Sequence, residues 1–212
     1  MEIEFAGLIL SEPVTAFGNL VLASVCYYAY RQVKRVANMP GKESWGYFFL
    51  TLGSATFIGI FTHLFSHYNP HGLRLVGWAL SGLTAYFAQA ASIEQLTRRK
   101  TGPLMLISKI EFVLFLIGLY WFQVFGVVLV VTVISLLTVL GIQTYGYFSR
   151  VLKGSEIILA GFVISALTAF ARLLNLSLHP IWFNHHDVAH LMMIFAVLTI
   201  MVGVKRAAEA VE

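Results

Sequence analysis

The sequence predicts an all-α membrane protein, a single bundle of seven transmembrane helices over residues 1–212 with the N-terminus outside and the C-terminus in the cytoplasm. Three observations predict it. Of 212 residues, 58% are hydrophobic and 11% charged, where globular chains carry roughly a quarter charged, so most of the surface must face lipid. The apolar runs between charged or Pro/Gly breaks number seven, and seven spans of about 20 residues use about 140–150 residues, leaving short connections and no soluble domain. Lys and Arg, finally, collect on alternate connections.

Taken in order, the runs place helices near 13–31, 44–66, 73–95, 103–122, 125–147, 156–177 and 187–204. At these lengths the segments are helical because lipid leaves the backbone no partner but itself. The opening MEIEFAGLILSEP is acidic, with a short apolar run, and is not read as a cleaved signal peptide. Arg31, Lys34, Arg35 and Lys42 follow the first span, Arg98, Arg99 and Lys100 the third, Arg150 and Lys153 the fifth, and Lys205 and Arg206 the last, out of 14 basic residues in all. Lys109 lies just inside the fourth span, and only Arg74 and Arg172 point the other way. The positive-inside rule then sets the orientation. The fourth and fifth spans meet at Phe122–Gly126 and form an antiparallel hairpin that reads as scaffold. Trp45, Trp78, Trp121 and Trp182 fall near interfaces, where an apolar ring with a polar edge is favoured.

Other classes are excluded by composition. Cys26 is the only cysteine, so neither an intrachain disulfide nor a thiolate zinc cluster can form. The formal charge of +4 is accounted for by topology, so nucleic acid is not an expected partner. There is no internal repeat, low-complexity tract or glycine-rich phosphate loop. Glu94, Lys109, Glu111 and Glu156 lie near the cytoplasmic interface and read as topological or ion-paired.

All seven histidines fall at the outer ends of the predicted spans: His63, His67, His71, His179, His185, His186 and His190. Two pairs carry metal-ligand spacing, His63 with His67 and His186 with His190, because residues four apart on a helix share a face. His71, His179 and His185 read as interfacial residues tolerated at headgroup depth. Ionisable groups inside spans are expensive and usually face a functional cavity, so the pairs read as metal ligands. Imidazole with carboxylate suits zinc first, with iron, nickel or copper as alternatives. Asp187 stands beside His186 and three residues before His190, as a ligand, a catalytic carboxylate or an acceptor for an imidazole N–H. Glu12, Asn19 and Arg172 supply further polarity at the same end. Glu12 equally suits a helix N-terminus before Pro13, and Arg172 could snorkel to headgroups. Met192 and Met193 read as packing.

SEPVTAFGNL at the start of the first span and HDVAHLMMIFAVLTIM in the seventh resemble the alkaline ceramidases and their relatives, the superfamily that includes the progestin and adiponectin receptors. The resemblance implies zinc held by one histidine of the second span and the His-x-x-x-His of the seventh, with hydrolysis of a lipid amide or ester. Carried over, His186 and His190 are two ligands and His63 or His67 the third, while Glu12 and Asn19 match polar positions of the first helix. The sequence departs from that pattern twice. The superfamily's serine four residues before the second-span histidine is Gly59 relative to His63, and its third-span aspartate is absent from HGLRLVGWALSGLTAYF, where Arg74 and Ser81 are the nearest polar side chains.

The expected function is therefore a metal site at the outer end of the bundle, with lipid as partner and a lipid amide or ester as substrate, in a bacterial or archaeal cytoplasmic membrane. Two other readings use the same histidines: a non-enzymatic metal or pH sensor, since imidazole titrates between pH 5 and 8, and a redox protein holding haem between the second and seventh spans. Retinal is disfavoured because the seventh span has no lysine before Lys205. The middle of the bundle lacks the chain of acids a proton relay needs.

Overall fold

The computed structural model describes residues 2–5, 7–97, 102–179 and 183–209, with the side chains at positions 2, 5, 172 and 173 excepted. Arg98, Arg99, Lys100, Trp182 and the Arg172 side chain thus lie outside the described residues. Among the described residues seven helices follow a short hairpin: β1 (Glu2–Phe5), β2 (Leu8–Ser11), α1 (Pro13–Arg35), α2 (Lys42–Leu64), a 3₁₀ turn (Ser66–Tyr68), α3 (His71–Thr97), α4 (Pro103–Phe122), α5 (Phe125–Phe148), α6 (Ser155–Leu173) and α7 (His185–Glu209). Four of the helices, α2, α4, α5 and α7, are long and apolar enough to cross a membrane.

Local chemistry explains the boundaries. Pro13 and Pro103 open α1 and α4, where proline's missing N–H has no helical partner to lose. Gln123 closes α4 in the left-handed conformation and returns its N–H to Leu119 O at 3.0 Å. The second helix stops at Leu64, because Phe65 breaks into the 3₁₀ turn, which ends at left-handed Asn69 before Pro70. The expected shared face of His63 and His67 is therefore absent: His67 lies in the 3₁₀ turn, its ring 5.2 Å from that of Tyr68. The sixth helix ends at Leu173 rather than near 177, closed by left-handed Asn175 and a bond from Leu176 N to Ala171 O at 2.9 Å.

Six helices form a closed ring in the order α1, α2, α3, α5, α6, α7, and α4 lies outside it against α3 and α5. The outer face of α4 is apolar and exposed through Leu106, Ile107, Leu114 and Trp121, which is tolerable where lipid replaces water. Near the C-terminus of α7 the ring is solid. Trp45, Phe49, Cys26, Val33, Ile200 and Val204 are buried together, and the α6 and α7 backbones meet through glycine. A Cβ on Gly203 would lie 2.7 Å from Ile158 N, and one on Gly154, at φ +78, would collide with Gly203 O. Buried polar bonds tie α3 to its neighbours: Ser44 Oγ donates to Glu94 Oε2 (3.1 Å), Ser108 Oγ to Gln89 Oε1 (2.6 Å), Gln89 Nε2 to Glu111 Oε2 (3.0 Å), and Gln143 Nε2 to Ser92 Oγ (3.1 Å). In an apolar surround such pairs fix rotation and register, since the alternative is an unsatisfied polar group. Glu156 pairs with Arg206 Nε at 3.7 Å.

Candidate functional site

At the opposite end of the ring the chain assembles a cluster of imidazoles. The antiparallel β1–β2 hairpin is tied to the α2–α3 connection by Ile9 N, which donates to Tyr68 Oη at 3.0 Å. It delivers Glu12, which caps α1 in the left-handed conformation at φ 47, to the last turn of α2. There Glu12 Oε2 lies 2.6 Å from His63 Nδ1. The ionised carboxylate only accepts, so Nδ1 carries the proton of this bond, and in the neutral ring the Nε2 lone pair is left for another partner. The His63 ring faces the first two turns of α7, 5.8 Å from the ring of His186 and 6.2 Å from that of His190. The His185 ring lies 4.1 Å from that of His186, tilted by 42°. The hydrogen bond from His63 is the chief influence on Glu12 and holds its carboxyl below the ordinary 4.5, with burial opposing and positive charge on His63 and His186 assisting.

Two imidazoles on one tetrahedral zinc have ring centres about 5 Å apart, given Zn–N bonds near 2.0–2.1 Å. The rings around His63 are about an ångström wider than that, and among the described residues no group of three or more His, Cys, Asp or Glu side chains is already closed around a point suited to a metal ion. The donor chemistry nonetheless fits one. A histidine that gives one ring N–H to a carboxylate presents its other nitrogen as a ligand, a pairing common behind metal-bound histidines.

Asp187, beside His186 in the chain, is engaged by the cap of α7 and by α1. Asn184 caps α7, with its Oδ1 accepting from His186 N (2.7 Å) and Asp187 N (3.4 Å), and Asp187 Oδ2 accepts in return from Asn184 N (2.9 Å). This is a reciprocal capping box. The other oxygen of Asp187 accepts from Thr15 Oγ1 at 2.8 Å, so both are occupied in joining α7 to its own cap and to α1. Asn19 is buried, donates to Thr15 O at 3.1 Å, and packs so closely on α2 that a Cβ on Gly59 would lie 2.8 Å from its Oδ1. A side chain at position 59 would therefore require Asn19 to shift. The neighbouring Gly18 faces His190, whose Cβ would be 3.5 Å from an added Cβ. His71 bonds Gln123 Oε1 at 2.9 Å on the surface, and His179 bridges Phe183 through its backbone. The N-x-x-D signal of Asn184 and Asp187 was readable in the sequence, as a helix start rather than a site.

Beneath the imidazoles the ring encloses a cavity of about 700 Å³, with Asn19, Arg74 and His190 among its polar lining and Leu52, Ala88 and Phe162 among its apolar lining. Leu129, Val133 and Phe170 line it and are also exposed, so it opens laterally between α5 and α6. Hydroxyls of its wall are engaged within the protein: Ser81 donates to Gly77 O (2.9 Å), Thr84 to Leu80 O (2.9 Å) and Thr168 to Ser165 O (2.7 Å) on their own helices, while Ser135 donates across to Ala85 O (2.7 Å). The chamber accordingly presents mostly methyl and methylene groups.

Fold and site define a helical protein, with four helices long and apolar enough to cross a membrane, that holds an imidazole cluster over an apolar chamber. The chain belongs to the family of unknown function DUF6962, whose model matches residues 14–209. No curated protein and no solved structure matches it.

Proposed function

We propose that this is a seven-span membrane protein, N-terminus outside and C-terminus in the cytoplasm, that binds a transition metal, zinc first, through His63, His186 and His190 and hydrolyses a lipid amide or ester. The observation that carries the reading is the Glu12–His63 pair turned toward the two α7 imidazoles at the edge of a lateral apolar chamber. When bound, zinc supplies Lewis-acid chemistry toward a carbonyl. The chain's own residues do the rest. Glu12 fixes the His63 tautomer, the Asn184–Asp187 box and Thr15 hold the first turn of α7 against α1, and the chamber takes up the apolar part of the lipid and excludes water. His67, outside α2, is not among the proposed ligands.

Elemental analysis of purified protein is expected to find one zinc per chain. His63→Ala, His186→Ala and His190→Ala should each lower it severalfold, and His67→Ala should leave it unchanged. Metal-free wild-type protein after purification with zinc present would sink the reading, and an absorbance spectrum of the same sample separates haem from zinc. Turnover is then sought on a panel of lipid amides and esters.

A non-enzymatic sensor is the second reading, favoured by the direct tie that Glu12–His63 makes between the hairpin and α2. Zinc bound without turnover of any lipid in the panel selects it.

A further inference from the structure

We infer that the chamber binds an anionic amphiphile, with the headgroup on the Arg74 guanidinium and the apolar chain running down the ring. Among the described residues Arg74 is the one formally charged side chain lining the cavity. Its Nη2 is bonded to the neutral Asn69 Oδ1, its Nε is buried without a partner, and no described carboxylate pairs with it. A guanidinium carries five N–H donors, and those that Asn69 does not use can hold an oxyanion by charge-assisted hydrogen bonds. Its position makes the need for an anion sharper. Arg74 stands in the first turn of α3, which has no acidic residue, so its charge opposes the positive end of the helix dipole, and an anion there is favoured by both.

The chamber below matches one apolar chain. From Arg74 to Ala88, both in its lining, α3 descends about 21 Å at 1.5 Å per residue, more than half of the roughly 30 Å hydrocarbon core. The volume of about 700 Å³ lies within the usual range of ligand pockets. With Ser81, Thr84, Ser135 and Thr168 already donating within the protein, the wall below Arg74 is mainly apolar and suits an apolar tail. The inference rests on the lipid reading above for the chain, and not on the metal. The same chemistry could come from a carboxylate or a phosphate headgroup.

The test measures binding of palmitate, hexadecyl phosphate and methyl palmitate to the full-length protein in phosphatidylcholine nanodiscs. At least one anionic probe is expected to bind about tenfold to a hundredfold more tightly than the ester, the range of a charge-assisted hydrogen bond, and the stronger of the two identifies the headgroup. Arg74→Gln should erase that preference while leaving ester binding unchanged, and Arg74→Lys should keep part of it. Equal binding of all three probes to the native protein overturns the inference without any variant. Chelator treatment separates the two proposals: a preference that survives it supports Arg74, whereas one lost on chelation and kept in Arg74→Gln places the anion on the metal and overturns the inference, with the metal reading intact.

Discussion

Glu12 carries more of the site than its place in the sequence announces. A non-glycine residue at φ 47 is held there against about 1–3 kcal/mol of backbone preference, and the reward is a carboxylate 2.6 Å from His63. Because that hydrogen bond holds the carboxyl below its ordinary 4.5, the pair stabilises the fold above that pH, and the contribution is lost as the pH falls through the lower folded value. Glu12→Gln is expected to lower the thermal midpoint at pH 7 and to flatten its fall between pH 5 and 3, read by unfolding scans in detergent. At Gly59 the constraint is steric. Gly59→Ala drives a methyl into Asn19 Oδ1 and should cost about 1–3 kcal/mol, part of which the double variant with Asn19→Ala recovers. Glu12 and Asn19 were legible as polar residues at one helix mouth. That Glu12 meets His63 was not, because a hairpin and a left-handed residue bring the two together. Arg74, legible only as a charge on the sparsely basic side, owes its significance to the cavity it lines.

The elements themselves follow from periodic apolar runs and their punctuation, and six of the seven helices run to within about four residues of the expected limits. The exception is α7, whose last turn continues past Val204 to Glu209 because Lys205 and Arg206 suit the negative end of the helix dipole. The β1–β2 hairpin was not foreseen, since EIEF and LILS are too short to register as strands without their partner. At the start of α7, Asp187 reads from its spacing as a ligand, a catalytic carboxylate or an acceptor for an imidazole N–H, and its two oxygens also complete a cap and a tether. Asp187→Ala should therefore destabilise by about 1–3 kcal/mol through the lost cap and the buried Thr15 hydroxyl left unsatisfied. In a double-mutant cycle with Thr15→Val the penalties should be less than additive, and zinc content should fall less than in His186→Ala. At the far end of the same helix, Gly203→Ala presses on Ile158 N and is expected to lower the midpoint and the monodisperse fraction.

Over the whole molecule, the α6 and α7 backbones meet through glycines at one end and the chamber lies at the other, with Phe48 and Phe162 shared between its wall and the core around Trp45. The proposed seven crossings and orientation are tested by single cysteines introduced into the Cys26→Ala protein. Leu8→Cys should react with an impermeant maleimide from outside intact cells, and Glu209→Cys only after lysis. The helical, strongly apolar character and the placing of the histidines near helix ends were legible in the sequence, because hydropathy and charge act residue by residue along a chain. Packing set which histidines meet, the bonds of Asp187 to its cap and to Thr15, the place of α4 outside the ring, and the chamber that Arg74 lines. Those outcomes depend on which helix faces which neighbour, and a lipid-exposed helix that is apolar all round carries little record of that choice in its own sequence.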